Sequence, residues 1–541
     1  MSKRSNKFLV PAGLAVGLAF LTACGTAVGE AGGAPAAPGN GSNNASASQG
    51  AAGNAVLGGE LVWVTPSAPV SLDPTGQNDS ASSDARMSIF EGLVRFNPHV
   101  TTIDLEPALA TSWGNVDDYT WYFNIRQGVV FHDGAELDAH AVARSLNRSV
   151  SDVAAPGHFI VDMITEVVAV DDWTVHITTA FPFAPLPGHL THSIGGIVSP
   201  LAIDREEAGL GYINEHPVGT GPFEFVYLQG DEMLLRAVDN HWRQAPYVDY
   251  LRFWAVPESA TRFALLQTGE VHVGNIPPTD FASANAENLS VLINDTTSID
   301  YLGFNTSPGH VLSDVRIRQG IMHAINRADF IEFLVEGFGI YSHGFLSPMV
   351  EHSPTDLTSL SYDPARAAEL LSAAGIDANN RITLNYWFNE GNPLREQVGL
   401  FVQAAVAPLG IDVSVTSVPW ATYLEHTGQG LHDMFMLGWV TVTGDADYGL
   451  FPIFHSQQMG DAGNRFFFSN PAVDAALEEG RMSSDPAVRA AAYRRATELI
   501  NYYVPAVPLR FTQQLFAYNN ITGLSINFAN SPAFYQVQIT E

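Results

Sequence analysis

Two hydrophobic periods alternate along most of this chain. Near the start, "GGELVWVTPSAPVSLDPTG" gives a short alternating strand and then a proline-containing turn. The aromatic and β-branched runs "YTWYFNI" and "VVF", with "RQG" between them, predict a hairpin, and "WTVHITTA" predicts another strand. "LDAHAVARSLNRSV" switches to the helical period, with Asp138 as N-cap and Val142 and Leu146 on one face. "PVGTGPFEFVYLQ" is a turn feeding a strand, and "PESATRFALLQTGEV" is a helix closed by Gly269. Ile317, Ile321 and Ile325 stand four apart, one stripe of an amphipathic helix. Three later helices begin with an Asx-Pro pair, a cap followed by a first-turn proline. They are "DPARAAELLSAAG", "NPAVDAALEEG" and "DPAVRAAAYRRATELI", with Gly375 and Gly480 as stops for the first two. Between the first two lie the strand-like runs "RITLNYWF", "IDVSVTSV" and "MFMLGWVTV". Strands alternating with helices predict an α/β fold built as lobes.

Neither period holds over the first 57 residues. "MSKRSNK" is basic, and "FLVPAGLAVGLAF" is apolar but short for a membrane span. "LTAC" follows, and it resembles the lipobox of bacterial lipoproteins; that resemblance implies cleavage before Cys24 and lipidation of Cys24. Residues 1–23 are therefore expected to be a signal peptide. Residues 24–57, small and polar with Glu30 as their only charge, are expected to be a flexible tether of about 30 Å end to end. The expected location is extracytoplasmic, lipid-anchored to the cell membrane. Cys24 is the single cysteine, which excludes an intrachain disulfide.

Charge narrows the function classes. With 25 Lys+Arg against 56 Asp+Glu the net charge is −31, which argues against nucleic acid and against docking on anionic lipid by charge. Lysine occurs only at Lys3 and Lys7, so the mature chain offers no Schiff-base, P-loop or Ser-Lys chemistry. An acidic, lysine-free surface fits a saline habitat, and equally a compositional drift towards Arg.

Most catalytic patterns fail. "GTG" at Gly219–Gly221 has Glu224 where a dinucleotide fingerprint needs glycine, and no G-x-S-x-G elbow occurs. His132, Asp133 and His140 lie close in sequence but follow no metal-ligand pattern, and Asp133-Gly134 reads as a turn. The stretch "LGWVTVTGDADYGLFPIF" is different, because Asp445 and Asp447 stand in an aromatic segment that has no Lys or Arg from Met434 to Gly460. Unpaired acids are costly in such a setting. Their partner is an arginine elsewhere in the fold, a metal, a proton in catalysis, or a ligand cation. A calcium loop fails because Ile453 and Ser456 occupy its ninth and twelfth positions. A glycosidase pair fails because i and i+2 loop positions do not control the required gap. Together with Trp439, Tyr448 and Phe451 the acids outline aromatic walls with an anionic anchor.

Several ordered motifs, "EPALATSWGNVDDYTWYFNIRQGVVFHDGAELDAHAVARSLNR", "PVGTGPFEF", "YLGFNTSPGHVLSDVRIRQGIMHAINR" and "VPAVPLR", resemble the family 5 extracytoplasmic solute-binding proteins of peptide and nickel ABC importers. The resemblance runs from about Leu61 to the C-terminus. It implies a type II two-lobed periplasmic-binding-protein fold with an extra domain inserted in the first lobe. The expected division is 58–95 for the start of lobe I, 96–216 for the inserted domain, and 217–302 for the rest of lobe I; lobe II takes 303–504, and 505–541 return to lobe I. It implies a monomeric receptor without cofactor, metal or catalytic step, which captures a small peptide and delivers it to an ABC permease. Peptide binders of the family place an aspartate three residues after the tryptophan of the "GW" strand, where this chain has Val442. The run Asp445–Tyr448 is instead similar to the acidic-Ala-Asp-aromatic sequence of the glutathione-binding members. Expected substrate-binding residues are Trp439, Asp445, Asp447, Tyr448 and Asn305, with the ammonium of the ligand as partner of the acids. The alternatives are a secreted hydrolase of peptides or sugars, and a metal-chelate receptor of the nickel type, for which His455 is available.

Overall fold

The computed structural model describes residues 55–77, 79–97, 103–209, 211–358, 361–460 and 463–540. Cys24, the expected signal peptide and nearly all of the expected tether lie outside the described residues. The end of the tether segment does not: Ala55–Val56 pair with Gln538–Thr540 near the C-terminus.

One ten-stranded mixed sheet organises the body. Its order is Ile411–Val418, Ile382–Asn389, Met434–Val440, Ser290–Phe304, Ala506–Tyr518, Val273–Ile276, Glu60–Thr65, Tyr250–Ala255, Glu232–Ala237, Phe223–Gln229. The two long strands in the middle belong to both ends of the sheet. Ser290–Asp295 pair with Tyr518–Gln513, and after a register shift Ile299–Gly303 pair with Phe511–Ala506. At the interruption Thr296 Oγ1 lies 2.8 Å from both the carbonyl and the hydroxyl oxygen of Thr512, with both threonines buried. The two antiparallel strands thus lose register around one buried threonine pair.

A separate antiparallel sheet of Ala110–Asn115, Thr120–Ile125, Thr174–Thr179 and Ile164–Asp171 packs on the Ala139–Ser151 helix. Phe123, Val142, Leu146, Val175 and Ile177 form its core. That core continues into Tyr448, with Trp439 and Val442 packed against it, so this sheet and the second lobe share an apolar seam.

The capping chemistry appears where the sequence places it. Asp138, Asp363, Asn470 and Asp485 each accept a backbone N–H from the first turn of the helix that follows. Ile317, Ile321 and Ile325 are buried along one stripe. Two expectations are corrected. "YTWYFNI" pairs with Ala110–Asn115 and with Thr174–Thr179, not with "VVF", whose Val130 bridges to Glu136 in the turn that follows it. Gly480 is not a helix stop. The Pro471–Met482 helix runs through it, and a Cβ there would lie 2.7 Å from the Tyr493 ring, so glycine serves close helix packing. Among the described residues, no helix is long and apolar enough to cross a membrane.

Candidate functional site

In open α/β sheets the recess for a ligand forms beyond the carboxyl ends of parallel strands. Ile382–Asn389 runs parallel to both Ile411–Val418 and Met434–Val440, so this edge of the second lobe ends at Asn389, Val418 and Val440. Pairing to Met434–Val440 reaches only Phe435, while that strand continues to Val440. Gly438 is exposed and Trp439 and Val440 are half-buried, which leaves one backbone edge free for an extended partner. Two further side chains flank this edge. Trp420 opens the next helix and is 50% exposed. Arg395 reaches back from its helix to donate to Asn389 Oδ1 at 2.6 Å, with its guanidinium 5.9 Å from the Trp420 ring. Among the described residues, no carboxylate lies within ion-pair distance of Arg395. A half-buried guanidinium between a tryptophan and an asparagine, without its own acid, is fitted to accept a carboxylate.

The two aspartates have partners within the chain. Asp445 caps the Ala446–Phe454 helix, accepting from the Asp447 backbone N–H at 2.8 Å, and both its oxygens meet Arg489 Nη2 at 2.6 and 2.7 Å. Asp447, 1% exposed, lies 3.2 Å from Arg481 Nε and Nη2. Arg481 in turn lies 3.6 Å from the centre of the Phe451 ring, with Phe181 and Phe183 nearby. Burial opposes the charge of Arg489, but Asp445, Tyr493 and Asp447 together outweigh it and the pKa is raised. His189 Nε2 is 3.8 Å from Asp447, and burial holds this imidazole below its usual value and neutral. Two acids are thus balanced by two arginines. The expectation of a ligand ammonium as their partner meets a different arrangement, in which helices 34 and 44 residues downstream supply the charge.

Trp439 and Tyr448 form the wall that this pair supports. Trp439 Nε1 donates to the Tyr448 carbonyl at 2.8 Å and the rings stack at 5.3 Å. Tyr448 continues the stack onto Phe159 at 6.0 Å and meets His189 edge-on. The connecting loop is tight. Gly444 has φ +68°, and a Cβ there would overlap Ile103 Cγ2 and press on Phe96 and Phe528. Gly444→Ala is therefore expected to cost about 1–3 kcal/mol by overpacking, measured as a lower unfolding midpoint; an unchanged midpoint contradicts the packing of this seam.

Asn305 stands apart. It follows the far end of Ser290–Phe304, six residues or about 20 Å along the strand from the partner of Trp439. Its amide donates to the carbonyls of Gly430 and His432 and accepts from Ser307 N–H, so its polar atoms are committed to holding a loop. His455 is buried, stacked on Phe451 at 4.2 Å and 3.2 Å from Glu478. Among the described residues, no group of three or more His, Cys, Asp or Glu is placed to hold a metal ion. Sequence reading missed Arg395, Arg481 and Arg489. A usable signal existed for Arg489, which shares a helix face with the buried Ala492, Tyr493 and Ala496.

One acid of the first lobe has no such partner. Burial, with the Asp79 carboxylate adding to it, pushes Asp84 up from 3.8 to about 8. The fold therefore favours the protonated form: its contribution to stability is complete below about pH 4 and is lost as pH rises through about 8. Asp84→Asn is expected to flatten that loss in denaturant titrations from pH 6 to 9, whereas an identical slope in the variant contradicts the assignment.

Known proteins share this architecture over nearly the whole chain. The family model for bacterial extracellular solute-binding proteins, family 5, matches residues 104–461. The glutathione-binding protein GsiB of Pectobacterium atrosepticum is 30% identical over 485 residues, covering 87% of this chain and 92% of that protein. GsiB of Escherichia coli is 30% identical over 482 residues, covering 86% and 92%. Among solved structures, the ABC transporter-associated periplasmic binding protein DppA of Helicobacter pylori, in complex with the peptide STSA, is 28% identical. It superposes with a TM-score of 0.79, covering 90% of this chain and 99% of that one. NikZ of Campylobacter jejuni, in complex with Ni(L-His), shares the fold at 21% identity and a TM-score of 0.77, covering 88% and 99%. With the two-lobed type II architecture in place and the family model matching residues 104–461, the chain belongs to the family 5 bacterial extracellular solute-binding proteins, which bind substrate for ABC transporters and are not enzymes.

Proposed function

We propose that the protein captures a small peptide of about the size of glutathione between its lobes and delivers it, as a lipid-anchored monomer, to an ABC permease in the membrane. The observation that carries the ligand reading is Arg395, half-buried beside Trp420 and without a carboxylate partner among the described residues. In this reading the ligand backbone lies along the free edge of Gly438–Val440, Trp439 and Trp420 cover it, and Arg395 takes its carboxylate. Asp445, Asp447 and Tyr448 serve the ligand by fixing the Trp439 wall. The inserted domain over residues 96–216 closes the far side, and the lobes hinge at Thr296 and Thr512. The glutathione-binding relatives and the peptide held by the Helicobacter pylori neighbour support the ligand class.

Arg395→Gln tests it. A hydrogen bond to a charged group is worth about 1.5–3 kcal/mol, so the variant should bind glutathione about ten- to a hundredfold more weakly. In X-ray scattering, saturating glutathione should shrink the radius of gyration of the wild type. Equal affinity in the variant removes Arg395 from the site, and no compaction removes hinge closure.

A further inference from the structure

A second recess lies away from the strand edge, where the end of the Ser80–Ile89 helix and the chain that follows it meet the turn at Thr191–Gly196 and the C-terminal segment. It is a cavity of about 130 Å³, whose polar walls include Arg86, Glu91, Arg95, Ser193, Arg243 and Tyr535. Four of these residues carry a buried polar atom with no hydrogen-bond partner: Arg86 Nε, Arg95 Nε, Arg243 Nη2 and Ser193 Oγ. Their other groups are engaged. Arg86, 1% exposed, donates to the carbonyls of Asp73 and Gln77. Arg95 donates to Glu106 and to the Tyr535 hydroxyl, both at 3.0 Å. Arg243 rests on Trp242, with Nη2 3.4 Å from Glu91 Oε1 but not hydrogen-bonded to it. The other oxygen of Glu91 accepts from Trp242 Nε1 at 2.6 Å and from Thr220.

Donors are left over. Glu91 and Glu106 face Arg243 and Arg95, while Arg86 bonds only carbonyl oxygens directly and meets the Asp79 and Asp73 carboxylates through space. Burial pushes the Arg86 pKa down to about 10, which leaves it charged at neutral pH. A buried cation with unused N–H groups is costly until an anion or ordered water satisfies it. Single N–H groups from three arginines, with one hydroxyl, match the two oxygens of a carboxylate. A cavity of this volume accepts a group of that size, with room for little more.

We propose that this cavity is a carboxylate-binding site in which Arg86, Arg95, Arg243 and Ser193 supply the donors. The carboxylate belongs either to a free small acid or to a ligand held between the lobes, and the site stands independently of the peptide reading above.

The probe is acetate, titrated calorimetrically into the purified body in an anion-poor buffer. Saturable binding is expected, weakened about tenfold by the mild Ser193→Ala change and abolished by Arg95→Gln. A crystal of the acetate complex should show its oxygens at the four donors. Glutathione that displaces acetate assigns the carboxylate to the transported ligand, while independent binding of the two assigns it to a free acid; either outcome supports the site. Acetate binding that is absent, or unchanged in both variants, overturns the proposal, as does a cavity holding only water in crystals grown with acetate.

Discussion

Arg481→Met is expected to lower the unfolding free energy by about 3–5 kcal/mol. The change leaves the Asp447 carboxylate, 2% exposed in its side chain, without its ion-pair partner, and Arg489, already held by Asp445, reaches it only through space. Burial, with Arg481 adding to it, holds the neighbouring His189 below its usual value in the wild type. Asp162, already raised by burial and held down by Arg481, loses the same support. The effect is therefore larger than that of an exposed pair, which is worth about 1 kcal/mol or less. Denaturant unfolding reads the loss directly. Asp447→Asn combined with Arg481→Met should recover part of it, since the double variant removes both members of the buried pair. If Arg481→Met unfolds at the wild-type midpoint, the acids are not held by this arginine and the wall argument for Trp439 and Tyr448 fails.

The second large effect concerns the anchor. Cys24→Ser is expected to move essentially all of the protein from the membrane to the soluble fraction, with ligand affinity unchanged. Each methylene of an attached acyl chain contributes about 0.8 kcal/mol to membrane attachment. Among the described residues no helix is long and apolar enough to cross a membrane. Cell fractionation with a high-salt wash tests this, and a variant that stays with the membrane contradicts the single anchor.

Local structure was legible wherever one residue type has one job. Asx-Pro pairs, the Asp138 cap, the closing Gly269 and the isoleucine stripe all satisfy backbone or burial needs within a few residues. Pairing across the chain was not legible. "YTWYFNI" found its neighbours at Ala110–Asn115 and Thr174–Thr179, and the glycine at 480 answered to Tyr493, thirteen residues on. The same distance in sequence hid the answer to the two aspartates. A search for a basic residue from Met434 to Gly460 could not see Arg481 and Arg489, which the Pro471–Met482 and Pro486–Tyr503 helices bring back to them. Asn305, a polar residue within a family-like motif, has its amide engaged by loop carbonyls, which the sequence pattern does not reveal. Arg395 could be ranked among the arginines only once the partners of the others were known.

The most direct test of the central claim is calorimetric titration of glutathione and of an uncharged sugar into the purified chain of residues 25–541, which keeps the Ala55–Val56 strand. The account requires saturable one-to-one binding of the peptide, with no turnover of the recovered ligand, weaker binding in Arg395→Gln, and no heat from the sugar. Consumption of glutathione during the titration, or saturable binding of the sugar alone, would contradict a peptide receptor built on this cleft.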